Sequence, residues 1–445
     1  MKGEGLVRAR PPRVAVSGYY GFGNLGDEAV LLAMLDALKK EWAQRQKRHP
    51  GDLGGDLQVI VLSNDAVQTK KLCGVEAVSR WQIAEIYRVL RDADLLVSGG
   101  GSLLQDVTGI KSLLYYLGVV WLALKLKKPV VFYAQGIGPV RTLPGRFLVR
   151  KIANQARLII VRDEQSAKDL ADMGVAGPPV YVTVDAALGL SCAEINAQAG
   201  REILARFGIR KTGGGTDKGP KGEIPAAGIS GNVQKQAGPE TRHQQPRAGI
   251  QKPDSTVYFP TSNLSPPTSR IAGISVRNWP GFTKKERQAV ARVADKLINQ
   301  GWQVVFLPFH YPADVAVCRE IAALMQKPAP VLEKNCTVEE MVSVMKCLDL
   351  LIGMRLHALI FAAILNVPLV GISYDPKIDR FLAQLHLKPA ARVSDLDFLK
   401  LNGAVDEVLS DPEGFRRSLA EKIKPLQELA RQSANLTLEV LDRYY

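Results

Sequence analysis

The sequence lacks the features of a disulfide-stabilised, zinc-binding or membrane-spanning protein. Its five cysteines are scattered along 445 residues without a CxxC pair, which is typical of reduced core thiols in a cytoplasmic protein. The longest uncharged apolar run covers 12 residues, 113–124, whereas a bilayer-spanning helix needs roughly 18. The opening MKGEGLVRARPPR is basic without an apolar stretch, so we expect no signal peptide. Nothing in the sequence demands a metal.

Aromatic residues are also scarce, at 7%, and no nucleic-acid-binding module is recognisable, so we do not expect a nucleic-acid partner. The net charge of +14 favours polyanions, anionic membrane surfaces or phosphorylated small molecules. A solvated basic surface without a specific partner explains the charge equally well. The remaining composition, 46% hydrophobic and 23% charged, is that of a globular protein, and 445 residues predict two domains.

Short β-branched runs alternate with helical stretches, first from residue 13 to about 190 and again from Arg270. This alternation predicts α/β folding with parallel, doubly wound sheets. One pattern occurs twice: a strand, a Gly turn, a helix and a strand whose first residues include Pro and Val. The first copy is 93–106 with the KPVVFYAQGIGP that follows it, and the second is 348–361 with the later VPLVGISYDPKI. We therefore predict two Rossmann-like domains facing each other across a cleft, with ligands beyond the carboxyl ends of the strands.

The predicted boundaries follow the changes in composition. Residues 13–195 form the N-terminal Rossmann-like domain, 271–410 the C-terminal one, and 411–445 a terminal helix that can cross back to the first domain. Between the domains, 211–270 is rich in Gly, Pro, Lys and Gln and has few large apolar residues. Such a segment cannot offset its ordering entropy by burial, so we expect a disordered or poorly ordered insert.

The first strand ends in GYYGFGNLGDE, whose three glycines match the dinucleotide pattern GxGxxG. We reject a dinucleotide site because Asp27 and Glu28 occupy the helix turn where a pyrophosphate would bind and would repel it. Our interpretation is that Asn24 and Asp27 bind sugar hydroxyls. The alternative is that the carboxylates only stabilise the helix end.

Three further motifs follow strand ends. GGGSLLQD (99–106), which ends in Asp106, and AQGIGP (134–139), which contains Gln135, suit contact with an acceptor or an anion. Tight chain reversal alone also explains their glycines. VRDEQS places Arg162 at a strand end and Asp163 as the cap of the next helix. Arg162 is either a ligand contact or a surface ion pair.

The strongest local signal is GMRLHALIF (353–361) followed by YDPKI (374–378). Arg355 and His357 enter an otherwise apolar helix, where charged groups are uncommon unless they are paired or used. Lys377 lies one βα unit later, so parallel strands bring all three to the same rim. A histidine that is simply satisfied in the core is the competing interpretation of His357.

Together, GNLGDEA, GGGSLLQD, AQGIGP, VRDEQS and GMRLHALIFA…YDPKI resemble the polysaccharide pyruvyl transferase family, in particular its cell-wall-polymer, surface-layer-anchoring branch. The resemblance covers nearly the whole chain except 211–270 and the ends. The insert and DAAL at 185–188, where DPAL is expected, depart from the pattern. We expect neither departure to touch the site.

The resemblance implies a glycosyltransferase-B-like fold and transfer of the enolpyruvyl group of phosphoenolpyruvate. The acceptor it implies is an N-acetylmannosamine-type sugar of a lipid-linked precursor, which gains a 4,6-ketal while phosphate is released. It also implies peripheral attachment to the cytoplasmic face of the membrane, at its inner leaflet, and no cofactor or metal. The donor side is the C-terminal domain. The implied donor-binding residues are Arg162, Arg355, His357 and Lys377, with His357 catalytic; the acceptor candidates are Asn24, Asp27, Asp106 and Gln135.

Two other functions remain open on the sequence. A nucleotide-sugar-dependent glycosyltransferase of the same shape would place glutamates in the second domain, where this chain has mainly His357 and cations. A non-catalytic sugar- or nucleotide-binding protein with this fold would bind without turnover. Acceptor-dependent phosphate release from phosphoenolpyruvate, with UDP-sugars tested in parallel, distinguishes the three.

Overall fold

The computed structural model describes residues 10–48, 55–106, 109–210 and 270–445. The segment that composition sets apart, 211–270, lies outside the described residues except for Arg270. The described part contains two parallel sheets, one in each half of the chain. The prediction of two parallel α/β domains is confirmed.

The N-terminal domain is built on a seven-stranded parallel sheet in the order β3-β2-β1-β4-β5-β6-β7. Its strands are short and mostly buried, as expected for a sheet covered by helices on both faces. The strands are β1 (Arg13–Ser17), β2 (Gln58–Ser63), β3 (Glu76–Ser79), β4 (Leu95–Gly99), β5 (Val130–Gln135), β6 (Leu158–Val161) and β7 (Val180–Val182).

Helices connect these strands and cover both faces of the sheet. One large apolar cluster includes α1 and a second includes α3, α4 and α5. The helices are α1 (Leu25–Arg48), α2 (Ala66–Cys73), α3 (Ile83–Asp92), α4 (Ile110–Lys125), α5 (Leu143–Ala153), α6 (Glu164–Asp172) and α7 (Ala197–Arg206), with a short 3₁₀ turn at Ala186–Gly189.

The C-terminal domain has a five-stranded parallel sheet in the order β12-β11-β10-β8-β9. Its strands are β8 (Ile271–Ser275), β9 (Gln303–Phe306), β10 (Leu350–Gly353), β11 (Leu369–Ser373) and β12 (Ala391–Arg392). Its helices are α8 (Lys284–Asn299), α9 (Val315–Ala322), α10 (Val338–Met345), α11 (Leu356–Ile364), α12 (Pro376–Gln384) and α13 (Phe398–Ser410).

The last helix, α14 (Pro412–Tyr444), follows the second domain in sequence but packs against α1 and β5 of the first. Its Ser433 hydroxyl lies 3.0 Å from that of Thr183, and Arg45 of α1 pairs with Asp442. Leu438 is fully buried in a cluster that contains side chains of both domains. Helix α14 therefore ties the end of the chain to the N-terminal domain.

The two domains also meet at loops that follow their strands. The amide of Leu25 donates to the carbonyl of Phe309 at 2.9 Å, and the amide of Tyr311 donates to Gly23 at 3.2 Å. These bonds hold the loop after β1 against the loop after β9. Because ligands of open parallel sheets bind at the carboxyl ends of strands, this meeting of loops places the candidate site.

Candidate active site

Asp27 lies in the first turn of α1, on the N-terminal side of the cleft. The side-chain amide nitrogen of Asn24 donates a hydrogen bond to the carboxylate of Asp27 at 2.5 Å. Burial raises the pKa of Asp27 to about 6, and the charges of His357, Lys377 and Arg355 oppose that rise. The opposing charges all belong to the C-terminal domain, so the structure places these three predicted residues within electrostatic range of Asp27 across the cleft.

The neighbouring Glu28 is turned back onto its own glycine loop. Its carboxylate accepts a hydrogen bond from the amide of Gly21 at 2.7 Å. Burial raises the pKa of Glu28 to about 7, against the effect of the backbone hydrogen bonds from Gly21 and Phe22. Glu28 thus occupies backbone donors that a phosphate would use in a dinucleotide site, which adds to the argument against such a site.

His357 reaches the cleft from the first turn of α11. Its Nε2 lies 3.8 Å from Oδ1 of Asp185, too far for a hydrogen bond but close for an ion pair, and it is buried without a hydrogen-bond partner. Burial alone would raise the pKa of Asp185, but the polar contact with His357, followed by the charges of His357 and Arg162 and the hydrogen bond from the amide of Ala187, holds that pKa well below its ordinary range. Asp185 therefore places a carboxylate beside the imidazole of His357 and can orient that ring.

Arg162 follows the end of β6 and contacts Asp185. It donates to Asp185 at 2.9 Å and to the hydroxyl of Ser102 at 3.0 Å, and its side chain is buried. The interpretation as a surface ion pair is wrong, because the pair is internal. Arg162 connects to His357 through Asp185.

The rim of the C-terminal domain is rich in cations. Arg355 makes a bidentate contact with the buried Asp314, and Arg277 donates to the Tyr374 hydroxyl at 3.0 Å. Lys377 lies 5.4 Å from the ring centroid of Tyr374. Burial alone would raise the pKa of Tyr374, but the charges of Lys377, Arg277 and Arg355 hold it below its ordinary value. This concentration of positive charge suits an anionic ligand.

Two motif glycines make room for the site side chains. A Cβ atom at Gly26 would overlap the imidazole of His357, and one at Gly136 would overlap the guanidinium of Arg162. Neither overlap involves the flexible end of a surface side chain. Gly26 of GNLGDE and Gly136 of AQGIGP are thus required by the close approach of His357 and Arg162, and not by chain reversal alone.

Two predicted acceptor residues have structural partners instead. Gln135 is fully buried, and its amide nitrogen donates to the carbonyl and hydroxyl of Ser98 at 2.8 and 2.9 Å. The carboxylate of Asp106 accepts from the amides of Arg141 and Thr142 and so fixes the loop before α5. The geometry therefore supports a structural role for both residues and gives no support to their predicted contact with an acceptor.

Sequence reasoning missed Asp185, Asp314 and Tyr374. The expectation that DAAL lies apart from the candidate site is wrong, because Asp185 is the residue between Arg162 and His357. The available signal was its position three residues after the end of β7, near the same kind of strand end that drew attention to Arg162. Asp314 follows an irregular loop after β9, and no local pattern marked it.

Known structures resemble the whole described fold. S. aureus MnaA in complex with UDP is 12% identical with a TM-score of 0.58, covering 97% of each chain. UDP-GlcNAc 2-epimerase from Neisseria meningitidis bound to UDP-GlcNAc is 12% identical with a TM-score of 0.56, covering 97% of this chain and 100% of the other. A glycosyltransferase from Rickettsia africae is 10% identical with a TM-score of 0.52, covering 98% of each. The protein has a two-domain fold of glycosyltransferase-B type.

The family is defined by sequence. The polysaccharide pyruvyl transferase model matches residues 24–376, from Asn24 of the glycine loop to the start of α12. The chain belongs to this family and is therefore a transferase. Among curated proteins, none is similar enough to this chain to count as a match.

Proposed function

We propose that the protein transfers the three-carbon unit of phosphoenolpyruvate to a polysaccharide precursor, where it forms a cyclic pyruvyl ketal. The observation that carries the proposal is the convergence of His357, Lys377 and Arg355 on Asp27 across the cleft. Phosphoenolpyruvate bears a carboxylate and a phosphate, so its site needs several fixed cations. The acceptor must present two hydroxyls to the opposite side, where Asn24 and Asp27 lie.

The reaction balances with these groups. One acceptor hydroxyl attacks C2 of the donor while the methylene carbon takes a proton and becomes a methyl group. The C2–O bond to phosphate breaks, and the second hydroxyl adds at the same carbon to close the ketal. One hydroxyl proton thus ends on carbon and the other leaves with phosphate.

The residues divide these tasks by charge. His357 exchanges the proton, because an imidazole nitrogen can donate or accept one and the Nε2 of His357 has no hydrogen-bond partner. Lys377 and Arg355 bind the donor anions and stabilise the departing phosphate. Arg162 contributes positive charge behind Asp185, and Asp27 positions the acceptor hydroxyls. Asp185 is a positioning residue that acts through His357.

By resemblance, the acceptor is an N-acetylmannosamine-type sugar of a lipid-linked secondary cell-wall polymer precursor, joined as a 4,6-ketal. Such an acceptor places the enzyme at the cytoplasmic face of the membrane, bound peripherally. Among the described residues, no helix is long and apolar enough to cross a bilayer. Surface-layer anchoring is the process that this product would serve.

Acceptor-dependent release of phosphate from phosphoenolpyruvate tests the proposal. We expect His357→Asn to lower turnover by about 10²–10⁴-fold with unchanged thermal stability. Asp185→Asn should lower turnover less than His357→Asn does, because the imidazole keeps its proton-exchanging nitrogen and loses only the carboxylate beside it. His386→Asn, at an exposed histidine of the same domain, is the control and should behave like wild type.

Other outcomes identify the rival functions. Release of UDP from UDP-sugars, with no phosphate from phosphoenolpyruvate, would assign a glycosyltransferase. Binding of sugar or nucleotide without turnover of either donor would assign a binding protein. Normal turnover with lowered stability in His357→Asn would show that the histidine only fills the core.

A further inference from the structure

The outer surfaces of α3, α4 and α5 carry an unusual concentration of exposed apolar side chains. Eight of the fourteen large apolar residues that are exposed in the described chain lie on these helices or directly before them. We call this surface the apolar face; it comprises Trp81, Ile83, Tyr87, Ile110, Leu114, Trp121, Leu143 and Phe147. The three helices are neighbours, since α3 packs on α4 and α4 on α5. Scattered exposed residues need no explanation, but contiguous ones mark an interaction site.

Helix α4 shows most clearly that the part of the chain described by the structure leaves this face uncovered. Its inner side, including Leu113, Leu117 and Val120, is buried against the sheet. The outer side carries Ile110, Leu114 and Trp121 at helical spacing, each more than a third exposed. A helix that is apolar all round is normally covered on both sides. Within the described residues, the side of α4 that faces the sheet is covered and its outer side is not.

Basic residues lie around the apolar face and continue the rows of outward-facing side chains on α3 and α5. Ile83 and Tyr87 are followed by Arg91 at the same spacing, and Leu143 and Phe147 by Lys151. Lys125 lies 5.8 Å from the Trp121 ring centroid, and Lys151 lies 6.0 Å from that of Phe147. From 81 to 153 the chain has ten Lys and Arg against four Asp and Glu. The surface is therefore apolar at its centre and cationic around it.

The apolar face lies beside the acceptor side of the cleft. Each of the three helices follows a strand, so its first turns lie at the carboxyl edge of the sheet, where the site is. The Trp81 ring is 6.1 Å from that of Tyr115, which stacks under Arg80 at 4.0 Å. Arg80 donates to the carbonyl of Gly18, in the loop that leads to Asn24. Contacts thus run from the face to the acceptor loop.

We propose that the apolar face is the surface by which this enzyme docks on an anionic lipid bilayer. Aromatic and aliphatic side chains enter the headgroup region, and the surrounding Lys and Arg bind lipid phosphates. The inference rests on the proposed function, because it explains how a sugar that stays attached to a membrane lipid reaches Asn24 and Asp27. An anionic bilayer fits both parts of the surface, whereas a second copy of this basic face would repel it.

Flotation with vesicles of phosphatidylglycerol and phosphatidylcholine tests the proposal on the full chain. Leu143→Ser and Phe147→Ser should each weaken binding to anionic vesicles by about tenfold, the value of burying one large apolar side chain. The matched control is Leu399→Ser, since Leu143 and Leu399 are 80% and 76% exposed but Leu399 lies on α13, away from the face. Brominated acyl chains should quench Trp121 fluorescence, measured as the difference from Trp121→Phe.

Salt and lipid charge provide a second readout. Lys151→Gln should weaken binding to anionic vesicles about fivefold at low salt and have a smaller effect in 0.5 M salt. Binding to pure phosphatidylcholine should be much weaker for every variant. Equal losses in Leu143→Ser and Leu399→Ser, or no loss in either, would overturn the assignment. The assignment would also be overturned if binding to brominated vesicles left the fluorescence of Trp121 unchanged.

Two measurements separate this inference from others. Sedimentation velocity examines a second copy of the chain: if Phe147→Ser dissociates a dimer but keeps vesicle binding, the face is a subunit interface and the membrane proposal fails. Phosphate release with a lipid-free acceptor should be unchanged by the face variants. If that activity is absent in wild type, the proposed function fails; if it is present while vesicle binding ignores the variants, only the docking inference fails.

Discussion

Glu28 shows how burial can outweigh the electrostatic preference of a helix end. A carboxylate in the first turn is ordinarily stabilised by the helix dipole. Here burial raises the pKa of Glu28 to about 7 despite the backbone hydrogen bond from Gly21. With a pKa of about 7, the carboxyl of Glu28 is divided between its charged and neutral forms near neutral pH.

We expect Glu28→Gln to remove a pH-dependent loss of stability. The folded pKa exceeds the ordinary value of 4.5, so the native state binds the proton more tightly. Stability therefore declines as pH rises from about 4.5 to 7, by on the order of 2 kcal/mol. In the variant the part of this decline that Glu28 causes should disappear and the part that the raised pKa of Asp27 causes should remain, so above pH 7 the variant should be more stable than wild type. Urea unfolding at pH 4.5, 6 and 8 measures the difference.

Glu421→Gln is the control for that substitution, because Glu421 is exposed on α14. It removes a carboxylate without removing a buried one. If both variants show the same pH dependence as wild type, burial of Glu28 does not govern the stability of the α1 end.

At the scale of elements, α14 shows how the end of the chain completes the first domain. Its buried side chains, including Ala430, Ala434 and Leu438, join the cluster that also contains α1. The pairs Arg45–Asp442 and Thr183–Ser433 lie along the same contact. The helix therefore supplies apolar side chains that pack on the N-terminal domain, although they come from the other end of the sequence.

We expect Leu438→Ala to lower the free energy of unfolding by about 2–5 kcal/mol, since it leaves a cavity in a fully buried site. Leu429→Ala, on the same helix but 37% exposed, is the matched control and should cost under about 1 kcal/mol. Urea titration followed by circular dichroism gives both values. Equal effects would mean that α14 contributes through its helical propensity and not through the packed contact.

At the scale of the whole molecule, the domains are joined by a common apolar cluster and by backbone bonds between loops. Ligand that binds the native cleft must therefore stabilise both domains together. This linkage makes thermal unfolding a test of where the donor binds, independent of turnover.

We expect phosphoenolpyruvate at about 100 times its dissociation constant to stabilise the protein by about 2.7 kcal/mol. The protein should unfold in a single transition whose midpoint temperature the ligand raises. Lys377→Met should abolish most of this gain, whereas Lys388→Met, at an exposed lysine of the same domain, should retain it. Differential scanning calorimetry records both. Two transitions, with only one raised by the ligand, would contradict a site shared by the domains.

The sequence alone determined the α/β class, the two parallel sheets and the strand-end position of most candidate residues. It could do so because buried parallel strands are continuous apolar runs and because glycine turns at their ends are local signals. The rim that contains Arg355, His357 and Lys377 followed from the order of strands. Asn24 and Asp27 followed from their place after β1.

Only the tertiary structure decided which of these residues belong together. Asp185 and Arg162 meet His357 through contacts between segments far apart in sequence, and Gln135 turns inward to Ser98 although it too ends a strand. The apolar outer side of α4 is likewise visible only once its inner side is seen against the sheet. Hydrophobic pattern reports that a residue prefers burial, but its partner depends on how the chain brings distant elements together.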